Sequence, residues 1–405
     1  MNQSLHIAPG QAGLDAACAR HAGFLAGREG GQRLCLAGAD LSGLDLRGRD
    51  LRDADLAGCT LTGARLDGAD CRGARFAGAE MDGASLVAAR LDRADLRGCN
   101  LAGAVLVAAT ARLADFRELA RPGRDGTPAN VRATCLDDAD LSGASLVQAR
   151  LGGCRAEGVR FEDADLSGAR FARARLARAG FALALMHGTD LTSADLTAAD
   201  LRGCGEGGAD LAMTTTRDML TGEHPDRPAP PAPAPLSARD AEARIAEHIA
   251  QVRGDGGAPV DLTGADLREA GALAGRELTA LRAPGACLAG MDLTGAQLQG
   301  ARLSGADLRG CRLGGADLRG ADLRGAWLLH ADLRQARLSP LMLGGGRQLP
   351  VMLDGAHARY SDWRGADLTG ARLAGLDLAY ARLAKARLNG AALNAALGTD
   401  RLLDR

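Results

Sequence analysis

The sequence predicts an all-β fold wound from very short turns, on three observations. A large apolar residue returns at every fifth position over most of the 405 residues. A small residue stands two places before it, and glycine is the commonest residue two places after it. A period of five fits neither the 3.6-residue turn of an α-helix nor the two-residue repeat of a flat strand, and frequent glycine weighs separately against helix. The chain therefore turns after each unit. Alternate residues share a face, so the large residue, called here the centre, and the small residue two before it point inward. The residue between them and the two after the centre face water, and glycine supplies the corner where a Cβ is costly. Aromatic residues make up only 2% of the chain, so such a core is packed with leucine and alanine.

Centres run from Leu36 through Leu41, Leu46, Leu51, Leu56, Leu61, Leu66, Cys71, Phe76, Met81, Leu86, Leu91, Leu96 and Leu101 to Leu106. They resume in register at Leu136 and continue to Leu201, with one lapse at Ala156. In a second array, leucine centres follow without a break from Leu288 to Leu343, then come Leu353, Trp363, and Leu368 through Leu393.

Units such as Ala94-Asp95-Leu96-Arg97-Gly98 and Ala306-Asp307-Leu308-Arg309-Gly310 resemble the A(D/N)LxG signature of the pentapeptide repeat family, and the resemblance covers most of the chain. It implies a right-handed quadrilateral parallel β-helix, a pentapeptide repeat solenoid with four units and twenty residues per coil. Its coils stack at roughly the 4.8 Å spacing of paired strands. Two arrays with short helical caps are expected.

Residues 11–27, with Leu14, Cys18, Phe24 and Leu25, predict a short helix over the open first coil, because an uncovered solenoid end exposes core and strand edges. Residues 112–134 interrupt the first array, and Pro122, Gly123, Gly126 and Pro128 mark a protruding loop. Residues 222–236 form a proline-rich linker expected to hold no regular hydrogen-bonded structure, and they divide a first domain, 1–221, from a second, 237–405. Ser237 to Asp240 reads as a capping box, and Ala241, Ile245, Ile249 and Val252 form an apolar stripe, so residues 238–253 are predicted helical. That helix either caps a coil or pairs with its copy in a homodimer. The register slips by one residue near Leu262, Leu267, Leu273 and Leu278, which predicts an irregular first coil. Gly344 to Pro350 is a shorter break in the second array.

No residue pattern points to catalysis, and the chain reads as non-enzymatic, with no cofactor and no metal. The histidines (His6, His21, His187, His224, His248, His330, His357) show no metal-ligand spacing and read as surface residues. Cys59, Cys99, Cys154, Cys204 and Cys311 occupy the small inward slot and Cys71 a centre. Cys35, Cys135 and Cys287 precede a centre and are expected at the surface. Cysteines in this arrangement fit neither a zinc site nor a disulfide framework, so a reducing compartment is expected. The net charge of -1 excludes a nucleic-acid binder held by bulk electrostatics. No apolar run of about 18 residues occurs, and the N-terminus lacks a secretory pattern. The expectation is a cytoplasmic protein with protein partners, no nucleic acid and no membrane.

Stacked at twenty residues per coil, Asp292, Arg312 and Asp332 share one column, Arg302 and Asp322 another, and Asp317 and Arg337 a third. Alternating signs avoid like-charge stacking and erase the continuous negative field that a DNA mimic needs. In the first array Arg150 and Arg170 share a column, and Arg155, Arg160 and Arg175 form a basic zone. Arg309 lies in a water-facing slot and is expected to tolerate alanine within about 0.5 kcal/mol. Outward apolar residues are the candidate partner-binding patch: Trp327, Leu329, Met342 and Met352. Arg121, Arg124, Asp125 and Asn130 form a candidate functional loop, and stacked Val87 and Val107 are a candidate landing site for it.

The function expected is a protein-protein interaction scaffold or adaptor. The opening run Leu36 to Leu46 resembles pentapeptide proteins of bacterial secretion loci, which points to a type VI secretion accessory or effector-associated protein. The alternative is a DNA-mimicking protein that protects DNA gyrase from quinolones, suggested by the size and projecting loop of residues 1–221.

Overall fold

In the computed structural model, residues 10–121, 130–204, 209–225, 229–256 and 260–404 are described. The chain divides into two compact units, Met1–Ala229 and Pro230–Arg405. The five-residue period closes on itself in both. The residue before each centre pairs in parallel with its counterpart one coil on, as in Asp50 with Asp70, Asp55 with Arg75, Thr60 with Glu80 and Arg65 with Ser85. Each centre donates its N–H to the next coil (Leu56 to Arg75 O, 2.8 Å), and the following small residue closes the turn (Cys59 N–H to Leu56 O, 3.2 Å). The ladder is mostly one residue wide, and among the described residues it broadens into a parallel strand pair only at β3 (Thr189–Asp190) and β4 (Ala209–Asp210). The residue two after most centres sits in the left-handed region, which explains the glycine there: Gly58 has φ 66°.

The inward row is buried as the period requires, and its irregularities compensate one another. The lapse at Ala156 precedes Phe161, whose ring needs the space, and Phe161 stacks on Phe181 at 5.2 Å and meets Phe171 edge-on at 5.6 Å. In unit 2 the centre Ala358 precedes the fully buried Trp363 in the same way. The Trp363 indole N–H donates to Ser361 Oγ at 2.6 Å, and Ser361 in turn donates to Ala358 O. Inward cysteines donate to the carbonyl of an earlier centre (Cys59 to Leu36 O, 2.8 Å; Cys311 to Leu288 O, 2.9 Å). Cys287, expected at the surface, is buried, and burial pushes its thiol up to about 11. Cys35 is exposed and Cys135 half-buried.

Both predicted helices form, α1 (Gln11–Leu25) and α2 (Ala238–Arg253), and each closes the start of its own unit. The Gln11 side-chain amide meets the open edge as a strand would: Nε2 donates to Asp45 O (2.8 Å) and Oε1 accepts from Asp45 N–H (2.9 Å). His21 does the same further along, with Nδ1 accepting from Leu34 N–H (3.1 Å) and Nε2 donating to Arg52 O (2.9 Å). Its burial lowers its pKa and favours the neutral ring that these two bonds require. Ser237 caps α2 by accepting from Asp240 N–H at 3.1 Å. The α2 stripe differs from expectation. Ala241, Ile245 and His248 are buried, while Val252 is exposed, so the apolar face is turned toward the coil by the histidine. His21 and His248 are thus core residues, not surface ones. On α1, Phe24 is likewise exposed.

The two caps share a docking pattern. Asp15 pairs with Arg49 at 2.5 Å, and His21, six residues after Asp15, binds the backbone of Arg52, three after Arg49. Glu242 pairs with Arg276 at 2.8 Å, and His248, six after Glu242, lies buried near the backbone of Thr279, three after Arg276. The linker reading needs one correction. Ala234 pairs in parallel with Ala265 and exchanges backbone hydrogen bonds with Gly264 and Asp266, because an alanine between prolines retains its N–H. The slipped register is present, since Asp261 pairs with Arg282 and Asp266 with Cys287, one residue beyond the usual twenty.

Two insertions leave the core undisturbed. Asn100 pairs with Cys135 and Asp115 with Arg150, so one coil of unit 1 carries fifteen extra residues. They include an antiparallel hairpin, β1 (Leu119–Arg121) with β2 (Asn130–Arg132). Asp322 pairs with Met352 and Asp332 with Asp362, so one coil of unit 2 carries ten extra. These form the hairpin β5 (Leu341–Met342) and β6 (Gln348–Leu349) around Gly344–Gly346. Leu343 is therefore no centre: it lies at the hairpin turn, 40% exposed.

Candidate functional site

The walls are built from the water-facing slots, and their commonest feature is an ion pair inside a single unit. Asp before the centre and Arg after it project from the same side, so the guanidinium forks onto the carboxylate: Arg97 to Asp95 at 2.8 Å, Arg324 to Asp322 at 2.8 Å, Arg364 to Asp362 at 2.5 Å. Arg324 holds the Asp322 carboxyl below its usual range. Pairs between coils also form in the expected columns, Arg312 with Asp292 at 2.8 Å and Arg337 with Asp317 at 3.1 Å. The ten-residue insertion brings Asp332 and Asp362 together, and Arg334 and Arg364 neutralise them.

One wall of unit 2 departs from this pattern. Asp266, Cys287, Asp307, Trp327, His357 and Asp377 form its ladder. Trp327 stacks on His357 with ring centroids 4.1 Å apart. At the adjoining corner His330 stacks on Tyr360 (5.4 Å) and Tyr360 on Tyr380 (5.3 Å), while the Arg359 guanidinium lies 5.3 Å from the Tyr360 ring centre. His330, Tyr360 and Tyr380 hold φ of 58°, 61° and 60°, a conformation that most units give to glycine. Bulky residues there cost on the order of 1 kcal/mol each, so coil stability alone does not account for them.

The four residues of the expected patch do not form one surface. Trp327 belongs to the aromatic wall and is half-buried. Leu329 is only 5% exposed, and it lies one coil beyond Arg309. Arg309 and Asp307 pair at 2.8 Å and are themselves buried. Trp327 and Leu329 thus roof this ion pair. Met342 is 59% exposed on β5, a hairpin that covers the corner at Gly320, where an added Cβ would lie 2.8 Å from Leu341 Cβ. Met352 is half-buried between Asp322 and Arg372 in the ladder of another side. The sequence did carry a signal for the tyrosines, which stand twenty residues apart in a turn slot. His330 is thirty residues before Tyr360 because the insertion intervenes.

In unit 1, Arg121 and Asn130 are backbone register partners in the β1–β2 pair, while Arg124 and Asp125 lie outside the described residues. The hairpin lies over the corner at Gly98, where an added Cβ would be 2.5 Å from Leu119 Cβ, and Arg132 pairs with Glu80 at 2.7 Å. It therefore docks on a different side from Val87 and Val107. Beside it Arg97, Arg117, Glu118, Ala120, Gly152 and Arg173 line a cleft of about 300 Å³. Among the described residues no three His, Cys, Asp or Glu side chains gather as a metal site would need. No helix among them is long and apolar enough to cross a membrane.

Eight stretches match the family described as pentapeptide repeats: residues 35–70, 54–91, 89–118, 134–171, 169–204, 284–315, 301–339 and 353–394. The chain belongs to the pentapeptide repeat family. It is similar to HetL, a pentapeptide repeat protein involved in heterocyst differentiation regulation from the cyanobacterium Nostoc sp. strain PCC 7120. The identity is 30% over 50% of this chain and 92% of that one, with a TM-score of 0.24. It is also similar to QnrB1, a plasmid-mediated fluoroquinolone resistance protein (19% identity, 45% and 89% covered, TM-score 0.30). A third is Rfr23 from the cyanobacterium Cyanothece 51142 (24% identity, 31% and 86% covered, TM-score 0.17). Comparison with curated proteins finds no match. The family and the stacked coils make each array a β-helix solenoid.

Proposed function

We propose that this pentapeptide repeat protein is a non-catalytic scaffold that presents walls of right-handed, four-sided coils to protein partners in the cytoplasm. The observation that carries the reading is the aromatic wall of unit 2. Both tyrosines of the chain and one of its two tryptophans stand there, and both tyrosines occupy strained turn slots, on a solenoid whose walls are mostly neutralised by Asp–Arg pairs. Aromatic side chains beside an arginine are the residue types that anchor protein interfaces. The narrower role, an accessory or effector-associated protein of type VI secretion, rests on the opening run Leu36 to Leu46. The competing reading, topoisomerase protection by DNA mimicry, asks for a continuous acidic face. The ladder Asp40, Thr60, Glu80, Asn100, Cys135, Arg155, Arg175, Asp195, Thr215 changes sign along its length instead.

Affinity capture from the native organism tests the scaffold reading, comparing the intact chain with Tyr360→Gly/Tyr380→Gly. Glycine suits both turn slots, so the variant is expected to keep its thermal midpoint and lose a protein that the intact chain retains in stoichiometric amount. Equal recovery of that protein by the variant removes the aromatic wall from the account.

A further inference from the structure

The Asp–Arg pairing that neutralises most walls fails in one band of unit 1. Residues 166–189 contain no aspartate or glutamate, yet carry Arg170, Arg173, Arg175 and Arg178. The parallel ladder sets Arg170 beside Arg150 and Arg175 beside Arg155 on the preceding coil. Like charges opposed at strand spacing are destabilising, and two such stacks stand side by side here. Arg173 and Arg178 add to the cost, holding φ of 62° and 61° where glycine is usual. Acids of the preceding coils answer part of the band: Asp137 pairs with Arg155, Asp140 with Arg160 (2.6 Å) and Glu157 with Arg178 (3.5 Å). Among the described residues Arg170, Arg173 and Arg175 enter no ion pair, and all three are exposed. Arg173 also lines the cleft beside the β1–β2 hairpin, together with Arg97, Arg117 and one acid, Glu118.

We propose that the arginine band Arg150, Arg155, Arg170, Arg173 and Arg175, with the adjoining cleft, is a docking site for an acidic segment of a partner protein. Guanidinium groups fork onto carboxylates in bidentate geometry, and an anionic occupant turns a repulsive stack into a favourable one. The borders decide between peptide and nucleic acid. The band is two coils high, about 10 Å at strand spacing. Asp115 precedes Arg150 and Asp190 follows Arg170 in one ladder, while Asp195 follows Arg175 in the next. A duplex, carrying a charge about every 1.7 Å, overruns these carboxylates in either direction along the stack. A short acidic peptide running along the coil, from one side to the next, meets Arg170, Arg173 and Arg175 and passes one carboxylate, that of Glu118 at the Gly153 corner.

Fluorescence anisotropy of a labelled decaglutamate peptide, titrated with the full chain at low salt, tests this site. Arg170→Ser/Arg175→Ser is expected to weaken binding about tenfold or more. Its thermal midpoint is expected to equal or exceed that of the unaltered chain, because the like-charge stacks are relieved. Should the double variant lose its fold, Arg173→Gly, which suits its turn slot, is expected to weaken binding severalfold with the fold kept. Unchanged peptide affinity in the folded variant overturns the proposal. So does a DNA duplex of equal charge that binds the intact chain as tightly as the peptide. The band belongs to unit 1 and the tyrosines to unit 2, so this site and the aromatic wall fail independently.

Discussion

Trp363→Leu and Ala358→Leu are each expected to destabilise unit 2, and combining them is expected to restore most of the loss. Leucine is the standard centre of the array, so neither change is foreign to the repeat. Trp363→Leu nevertheless removes a fully buried indole and leaves a void that the hydrogen-bonded coils cannot close, at a cost of roughly 2 to 4 kcal/mol. Ala358→Leu adds volume beside an intact indole and costs about 1 to 3 kcal/mol. In the double variant the added leucine occupies space that the indole vacated, so the pair is expected within about 1 kcal/mol of the unaltered chain in a urea titration. Strictly additive losses would show that the two centres do not share core space.

Arg309→Ala is expected to cost about 3 kcal/mol, against the tolerance that its place in the repeat suggests. Both it and Asp307 are buried, and removing the guanidinium leaves the carboxylate enclosed without its fork. Arg324→Ala makes the comparison: its pair with Asp322 has the same unit geometry, but its side chain is 54% exposed, and the loss is expected within about 0.5 kcal/mol. Similar thermal midpoints for the two variants would contradict the burial of the Arg309 pair. The contrast is informative because the two residues occupy the same slot. The neighbouring coils differ, with Cys287 on one side and Trp327 and Leu329 on the other of the buried pair, and Arg302 on one side and Met352 and Asp354 on the other of the exposed pair.

That contrast marks what the sequence could reveal. The inward rows, the pairing of Asp292 with Arg312 and of Asp317 with Arg337, and the slipped first coil of unit 2 follow from counting by five and by twenty, and the capping of α2 by Ser237 from its capping box. Features that depend on three-dimensional neighbours did not. His21 and His248 read as surface residues because their helices carry too few apolar groups to show which side turns inward. Yet both are buried against the solenoid edge, and His21 supplies the acceptor and donor that the edge lacks. Leu343 keeps perfect period and still leaves the core, because the chain departs into a hairpin after Leu338 and returns ten residues late. The same departure hid the stack of His330 on Tyr360, which no repeat of twenty connects. The arginine band was visible as a basic zone, but its meaning depends on the ion pairs that neutralise the other walls.

Site-specific disulfide trapping measures the coil register directly. Neighbouring rungs of the ladder stand at roughly strand spacing, within the reach of a disulfide. Cysteines placed at Asp332 and Asp362, thirty residues apart, are expected to cross-link rapidly under mild oxidation, since these residues are paired across the ten-residue insertion. Cysteines at Asp332 and Met352, twenty apart, are expected not to. Cross-linking of the second pair in place of the first would mean that the hairpin is an ordinary part of the coil, and that the stacking of core, ion pairs and aromatic wall described here is out of register.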